Sequence, residues 1–279
     1  MPAGFLFALD ADFHYHKSMI QRFFVSQIIG DNQKITVKDG DLSRQISKVL
    51  RLKIGEQVVL LDNTGWEYKC FMSELSKHGV NFDILEKMAN QDEQKCQLIL
   101  FQSVLKKDKM EWVFQKGTEV GIIKFVPVIS EYSVKLGIDF KRSEKIIREA
   151  AEQSGGNKLP TLSDPVSFEN AIETAKDNNG LPSYDDCSAL SVRGLNLLAH
   201  NIGDHASLKD FCARQILPLL INLFIGPEGG FSEEEVSLAR GNGFQIVSLG
   251  KRILRAETAA IAASYFLIAQ NIKFKEIRK

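Results

Sequence analysis

Two glycine-bearing loops in the last third of the chain have the residue types that hold a small ligand. The first loop, 226–230, reads GPEGG and directly follows the apolar run Ile221–Ile225. The second loop, 250–256, follows another strand-like run, Gln245–Leu249. In open α/β sheets, ligands bind in the crevice beyond the carboxyl ends of the strands. Two such loops in succession therefore favour a ligand cradle over two simple turns.

The spacing of the glycines excludes the common phosphate-binding loops. Neither loop fits G-x-G-x-x-G or G-x-x-x-x-G-K-[ST], so dinucleotide and P-loop phosphate binding both lose support. The first loop offers backbone amides, carbonyls and Glu228, without a dense positive charge. A neutral or cationic nucleoside suits such a loop better than a polyphosphate.

The elements around the loops alternate between strand and helix. Ser232 followed by Glu235 predicts a capping box and a helix that ends near 241–243. An alanine-rich helix is expected from Glu257 to about Phe274. Upstream, we predict strands at Gln97–Ser103 and Lys124–Ile129, with helices at Lys109–Val120 and Ser143–Ser154. This alternation indicates βαβ units and a parallel sheet, hence an α/β fold class. Residues 160–215 are acidic and less periodic, and no order of elements is predicted there.

The N-terminal third has a different pattern of short strands separated by turn residues. One helix is expected at 41–51, where Leu42, Ile46, Val49 and Leu50 recur at helical spacing. The pattern predicts a small, mostly β barrel or sandwich. The predicted strands are Arg22–Val25, Lys34–Val37, Gln57–Asp62, Glu67–Ser73 and Val80–Glu86.

Composition excludes several classes of protein. The 279 residues are 44% hydrophobic, which is typical of a globular chain, and 35 basic residues balance 35 acidic ones. The balance argues against a uniformly basic nucleic-acid coat protein, but the charges are unevenly spread. Residues 251–279 hold seven basic and two acidic side chains, whereas residues 160–240 hold five basic and twelve acidic ones.

Membrane, metal and disulfide signals are weak. No stretch reaches the roughly 18 apolar residues of a membrane span, so we expect no membrane association. The four cysteines form no CxxC pair, which favours a reduced, cytoplasmic protein. His14 and His16 have no further ligand residues near them in sequence, so no metal site is predicted.

The two C-terminal motifs together resemble a known family. IGPEGGFS at 225–232 followed by LGKRILRAETA at 249–259 is similar to the RsmE family, bacterial methyltransferases of uridine N3 in small-subunit ribosomal RNA within the SPOUT superfamily. The likeness extends to RFFV at 22–25, VLRL at 49–52, KGTEVG at 116–121 and EAAEQS at 149–154. It covers about residues 22–275.

The resemblance implies a fold and a domain organisation that the spacing alone does not give. It implies a PUA-like β-barrel RNA-binding domain at 22–92 and a SPOUT domain at 93–279 with a trefoil-knotted parallel sheet. Residues 1–21 form an N-terminal extension in this scheme. It also implies a homodimer and S-adenosylmethionine as the cofactor.

The resemblance assigns the cofactor residues motif by motif, and the implied reaction suggests catalytic and RNA-binding candidates. Arg255 and Glu228 are the candidate catalytic residues. Arg255 would stabilise charge on the uracil, or else form a salt bridge to Glu257 or Glu228, or contact the loop carbonyls. Glu228 would lie beside the substrate, or else hold its own loop. The cofactor residues are Phe224, Ile225, Gly226, Pro227, Glu228, Gly229, Gly230, Leu249, Gly250, Ile253, Leu254 and Arg255. The RNA-binding residues are Arg22, Arg44, Arg51, Lys106, Lys107, Lys109 and Gln153.

The activity implied is methylation of N3 of a specific uridine in 16S ribosomal RNA. Because N3 lies on the pairing edge, the base must be unpaired or extruded to be reached. Two alternatives stay open: another SPOUT RNA methyltransferase, acting on a ribose 2′-hydroxyl, and a non-catalytic RNA-binding assembly factor. The chain departs from the family pattern at Arg44-Gln45-Ile46, where relatives have His-His-Leu, and at Gly155-Gly156, where an arginine is frequent.

Overall fold

The computed structural model describes residues 20–76, 78–89, 96–135, 137–178 and 194–276, with side chains described through residue 270. The chain divides into two compact units, 1–91 and 92–279. Most of the predicted N-terminal extension, with His14 and His16, lies outside the described residues, as does Cys187.

The first unit is built on a five-stranded sheet in the order β1-β3-β4-β5-β2. β1 and β3 are parallel, and the other pairs are antiparallel. Alternate side chains of these strands face one core, which includes the fully buried Tyr68 and Phe82. The strands are β1 (Gln21–Phe24), β2 (Lys34–Val37), β3 (Gln57–Leu61), β4 (Trp66–Ser76) and β5 (Gly79–Ala89).

The helix predicted at 41–51 is a short α-helix continued by a π-helical turn. Helix α1 (Gly40–Arg44) is capped by the Asp39 carboxylate, and the π-helical turn spans Gln45–Leu50. The wider turn changes which side chains point inward, so Ile46 is buried while Val49 is 71% exposed. The regular helical spacing expected there, with Val49 in the apolar stripe, was wrong.

The second unit is an α/β layer structure. Its sheet has the order β12-β10-β11-β6-β7-β8, and β9 pairs with β7 as well. Every pairing in this sheet is parallel, as the alternation of strand and helix predicted. The strands are β6 (Gln97–Ser103), β7 (Lys124–Ile129), β8 (Thr161–Leu162), β9 (Val166–Ser167), β10 (Leu195–Ala199), β11 (Leu220–Ile225) and β12 (Gln245–Val247).

Helices cover both faces of this sheet, because its strands are apolar on both sides. Leu98 and Leu100 of β6 face a core shared with α2, α3, α5 and α7, whereas Ile99 and Phe101 face α4 and α6. The helices are α2 (Lys107–Val120), α3 (Phe140–Ser154), α4 (Phe168–Asn178), α5 (Leu208–Ala213), α6 (Glu233–Gly241) and α7 (Ala256–Glu276). None of the described helices is long and apolar enough to cross a membrane.

The region without a sequence-based prediction supplies the strand β10, which lies between β11 and β12. Asn196 interrupts its apolar pattern. The structure explains this residue: the Asn222 side-chain amide of β11 donates to the Asn196 side-chain oxygen at 2.7 Å and to the Ala175 carbonyl at 3.1 Å. Both asparagines are buried, and they are direct partners in the register of β10 and β11.

Candidate active site

Three loops meet at the carboxyl edge of the second unit's sheet. The first and second loops follow β11 and β12, which run in the same direction, as predicted, because each pairs in parallel with β10. A third loop, 200–206, follows β10 and was missed because β10 itself was not recognised. The Asn201 side chain of the third loop accepts from the Leu249 amide at 3.4 Å, and the Ser248 amide donates to the Ala206 carbonyl at 3.0 Å. The predicted strand Gln245–Leu249 ends at Val247, because Ser248 and Leu249 turn towards this third loop.

The first loop is a tight turn without room for side chains at two of its glycines. The Gly230 amide donates to the Pro227 carbonyl at 2.9 Å. A Cβ on Gly226 would lie 3.2 Å from the backbone of Gly230, and one on Gly229 would lie 3.0 Å from the Cβ of Tyr132. The backbone of this loop is therefore closely packed on itself and on the loop that follows β7.

Gln102, near the end of β6, donates hydrogen bonds to the backbone where β11 passes into the first loop. Its side chain is 1% exposed, and its Nε2 donates to the carbonyl oxygens of Ile225 at 3.3 Å and Gly226 at 3.5 Å. Its Oε1 is buried and has no partner among the described residues. Gln102 was not among the predicted site residues, although a glutamine near the end of the apolar run QLILFQS is a signal that could have identified it.

Lys109 ties helix α2 to the first loop. Its Nζ lies 2.5 Å from Glu228 Oε1 and 3.9 Å from Glu257 Oε2. The hydrogen bond from Lys109 lowers the pKa of Glu228, and the same bond raises the pKa of Lys109. Lys109 was predicted to bind RNA, and in the structure its ammonium lies against two carboxylates of the site. The contact supports the prediction that Glu228 holds its own loop.

Arg255 lies at the end of the second loop, and its guanidinium has no partner among the described residues. Its carbonyl accepts from the Ala259 amide at 2.8 Å as α7 begins, which fixes the backbone. Its side chain is exposed, and among the described residues the guanidinium makes no hydrogen bond or ion pair. The salt bridge to Glu257 or Glu228 that the sequence left open does not form, since Lys109 is the cation beside both carboxylates.

The predicted cofactor residues lie along the edge, with one correction. Phe224 is fully buried and stacks on Phe101 with ring centroids 4.3 Å apart, so its side chain belongs to the core. Pro227 is buried in the turn, whereas the side chain of Ile253 is 90% exposed. The structure brings Gly226–Gly230 of the first loop and Arg255 of the second loop to the same edge.

The predicted RNA-binding residues divide between the two units. Arg22 lies in the first unit and is corrected: its side chain is only 15% exposed, and it pairs with Glu67 at 2.7 Å. A buried, neutralised guanidinium has little charge left for phosphate. The remaining predicted residues, Arg44, Arg51, Lys106, Lys107 and Gln153, are exposed.

The third loop adds a buried histidine that the sequence analysis did not single out. The His200 amide donates to the Val247 carbonyl at 2.9 Å, and the ring lies 6.1 Å from that of His205. Burial lowers the pKa of His200, and His205 adds to the effect. Across the described ranges, no three His, Cys, Asp or Glu side chains converge as metal ligands would.

Comparison with known proteins gives matches over nearly the whole chain. A family model described as an RNA methyltransferase domain matches residues 92–268, and one described as an RNA methyltransferase PUA domain matches residues 46–85. The ribosomal RNA small subunit methyltransferase E of Bacillus subtilis (strain 168) is 28% identical over 256 residues, which are 88% of this chain and 94% of the relative. The enzyme of the same name from Mesomycoplasma hyopneumoniae (strain 232) is 32% identical over 81% of this chain and 89% of the relative.

A solved structure is similar over the same extent. A ribosomal RNA small subunit methyltransferase E from Neisseria gonorrhoeae, bound to S-adenosyl methionine, has a TM-score of 0.75 and 29% identity. The similarity covers 90% of this chain and 97% of that one.

Proposed function

Because this chain belongs to the RsmE family of RNA methyltransferases, we propose that it transfers a methyl group from S-adenosylmethionine to N3 of a specific uridine in 16S ribosomal RNA. The observation that carries this proposal is the exposed Arg255 guanidinium, which is close enough to Lys109, the partner of Glu228 in the first loop, to act on its pKa. The names of the relatives and the cofactor in the Neisseria gonorrhoeae structure support it.

The residues at the carboxyl edge fit S-adenosylmethionine. The cofactor carries amino and hydroxyl donors, and the buried Gln102 Oε1 is an acceptor without a partner among the described residues. Gly226 and Gly229 let the first loop pack closely on itself and on Tyr132, which fixes its shape. A Cβ on Gly230 would meet no atom within 4 Å, so there is open space beside this residue for a ligand. Exposed Ile253 and half-buried Leu254 offer apolar contact for an adenine ring. We propose that these residues and the backbone of 249–250 hold the cofactor.

The chain contributes positioning and charge stabilisation. When bound, S-adenosylmethionine supplies an electrophilic methyl group on a sulfonium, and the transfer is an in-line displacement in which alignment of the reactants matters most. Uracil N3 gives its imide proton to water, and the N–C bond then forms as the sulfur–methyl bond breaks and S-adenosylhomocysteine leaves. Before the transfer, negative charge therefore lies on the ring and its carbonyl oxygens. Arg255 stabilises that charge, as an oxyanion-binding group does. Glu228 acts by holding the first loop through Lys109.

The RNA contacts we propose are the exposed residues of the predicted set. Lys106 and Lys107 begin helix α2 beside the first loop, and Lys106 is close enough to Glu228 to lower its pKa after the larger effect of Lys109. Gln153 ends α3, and Arg44 and Arg51 lie in the PUA unit. Contacts to phosphate through the cationic residues predict that RNA affinity falls as salt concentration rises.

We further propose a cytoplasmic homodimer with a trefoil-knotted catalytic domain at 93–279, an RNA-binding domain at 22–92 and an extension at 1–21. The division of the chain between residues 91 and 92 supports this domain boundary. Helix α7 supports the dimer: Thr258, Ala262 and Tyr265 are exposed along one face, and none of them carries a charge. An uncharged helix face of this kind is typical of contacts between subunits.

Incubation with methyl-labelled cofactor and small subunits from a strain that lacks the gene tests the activity. Mapping of the labelled nucleotide should give 3-methyluridine, and Arg255→Ala should abolish most of the label. A 2′-O-methyl product would favour the alternative SPOUT activity. Absence of both label and cofactor binding by calorimetry would favour the non-catalytic assembly factor.

A further inference from the structure

An exposed tyrosine stands against the first loop and has no role in the site described above. Tyr132 belongs to the segment 130–135, which follows β7 at the same carboxyl edge of the sheet. Its Cβ and the near edge of its ring pack on Gly229, and the residue is 53% exposed. A large aromatic ring is therefore presented to solvent directly beside the loop that we assign to the cofactor.

The segment that carries Tyr132 is held in place by hydrogen bonds on both sides of it. The Glu131 amide donates to Glu235 Oε1 at 2.9 Å, and the other oxygen of this carboxylate accepts from the Ser232 amide in the capping box of α6. The Ser133 hydroxyl donates to the Ser130 carbonyl at 2.8 Å. The Val134 amide donates to the Val104 carbonyl at 3.1 Å. The ring is thus displayed from a fixed backbone, which lowers the entropy lost on binding.

The carboxylates around Tyr132 favour an uncharged binding partner over an anionic one. Glu131 raises the pKa of Tyr132, with smaller contributions from burial and from Glu234 and Glu235, so the phenol is neutral at physiological pH. Glu234 is exposed and Glu131 is an exposed neighbour, and both repel a phosphate group. An uncharged, flat group such as a nucleobase meets no such repulsion.

We propose that Tyr132 stacks on the extruded uracil whose N3 is methylated, and so positions this base between the first loop and Arg255. The inference rests on the proposed function. Single-stranded and extruded bases are commonly held by stacking on aromatic side chains, and this is worth about 1–3 kcal/mol per base, which is roughly a 5- to 150-fold change in affinity.

A graded set of variants tests the role of the ring. Tyr132→Phe and Tyr132→Trp keep an aromatic face, Tyr132→Leu keeps bulk without one, and Tyr132→Ala removes both. We expect the KM for small subunits to stay within about threefold for the aromatic variants and to rise at least fivefold for Leu and Ala, by the stacking range above. The dissociation constant for S-adenosylhomocysteine should change by less than about twofold, well below the expected rise in KM, because every variant keeps the Cβ, which is the Tyr132 atom nearest to Gly229.

Ile123→Ala is the matched control, because Ile123 is an exposed apolar residue just before β7, at the edge of the sheet opposite to Tyr132. It should leave both constants unchanged. A wild-type KM in Tyr132→Ala would overturn the inference, as would equal behaviour of Leu and Phe. A loss of dimer by light scattering in Tyr132→Ala would instead identify the ring as a subunit contact and overturn it as well. Failure of the wild-type protein to label RNA would overturn the proposed function itself, which is a separate result.

Discussion

The first and second loops occupy equivalent positions beyond parallel strands, yet they differ in how the chain holds them. The first loop is held by its own Pro227–Gly230 turn, by Gln102 below it, by Lys109 and by packing on Tyr132. The second loop is fixed at its beginning, where the Leu249 amide donates to the Asn201 side chain of the third loop. It is also fixed at Arg255, whose carbonyl accepts a hydrogen bond from the Ala259 amide in the first turn of α7. Between these points its side chains are exposed, except for Leu254, which is half-buried against the core.

The difference indicates a division of work between the two loops. Packing from within the chain fixes the first loop before any ligand arrives, so its contribution is preorganised binding. The second loop carries groups with contacts still to make, namely the exposed Ile253 side chain and the free Arg255 guanidinium. Changes in the first loop should therefore alter cofactor affinity, and changes in the second should alter turnover.

Loss of the Arg255 charge should give the largest effect. Arg255→Ala is expected to lower kcat by on the order of 10²–10³, since one charge-stabilising donor in the transition state has that weight. The dissociation constant for S-adenosylhomocysteine and the melting temperature should stay close to wild type, because the guanidinium has no partner among the described residues. Single-turnover kinetics and calorimetry measure these quantities.

The control is Arg214→Ala, which removes an exposed arginine just after α5 and should leave kcat unchanged. A lowered melting temperature in Arg255→Ala, with kcat unchanged, would show that Arg255 stabilises the fold and does not contribute to turnover.

A methyl group added to the first loop should give the next largest effect. In Gly226→Ala the new Cβ would meet the Gly230 backbone at 3.2 Å and the Phe231 ring at 3.3 Å, so the turn must open. Overpacking of this kind costs about 1–3 kcal/mol, and we expect cofactor affinity to fall roughly tenfold by calorimetry, as about 1.4 kcal/mol implies.

Gly241→Ala is the matched control, because its Cβ would meet no atom within 4 Å and the position is helical. This variant should bind the cofactor as wild type does. Unchanged cofactor affinity in Gly226→Ala would show that the first loop does not bind the cofactor.

Removal of the ion pair between Lys109 and Glu228 should have the smallest effect on cofactor affinity, because the pair is partly exposed. Lys109→Met and Glu228→Gln are each expected to weaken cofactor binding about two- to fivefold, the range of an exposed ion pair. Lys116→Met, which breaks the pair with Glu119 on the same helix, is the control and should have no effect.

The same pair sets a pH dependence with a definite sign. The pKa of Glu228 is lowered from 4.5, so the contribution of the pair is fully present above that value and is lost as pH falls through the lowered pKa. The pKa of Lys109 is raised from 10.5, so the contribution persists up to that pH and is lost above it. Binding measured from acid to neutral pH should show an acid limb that Glu228→Gln removes. An acid limb that survives in this variant would assign it to another group.

Strands and helices with clear periodicity were largely predictable from the sequence. β2, β6 and β7 have the predicted bounds, α2 ends at Val120 as expected, and the capping box at Ser232 forms. β10 was missed because Asn196 breaks its apolar run, and its partner Asn222 is 26 residues away. The π-helical turn at 45–50 depends on local hydrogen bonding that an apolar period does not record.

Within the site, the motifs identified the first and second loops but not their supports. Gln102, Lys109 and Tyr132 reach the first loop from β6, α2 and the segment after β7, more than 90 residues before it in sequence. Their contacts depend on which strands become neighbours, so no local pattern reveals them. Arg22 was misassigned for the same reason, because Glu67 comes close only when β1, β3 and β4 are assembled.

The asparagine pair in the core of the sheet has a consequence for how the chain folds. β11 inserts between β10 and β6, so the sheet stays split until residues 220–225 are available, which in synthesis is late. A slip of β11 by two residues would place Asn196 opposite Leu220 or Phe224. A buried side-chain amide would then lack a hydrogen-bond partner, at a cost of about 1–3 kcal/mol. The Asn196–Asn222 hydrogen bond thus favours one register of β10 and β11 over the neighbouring registers when β11 is added to the sheet.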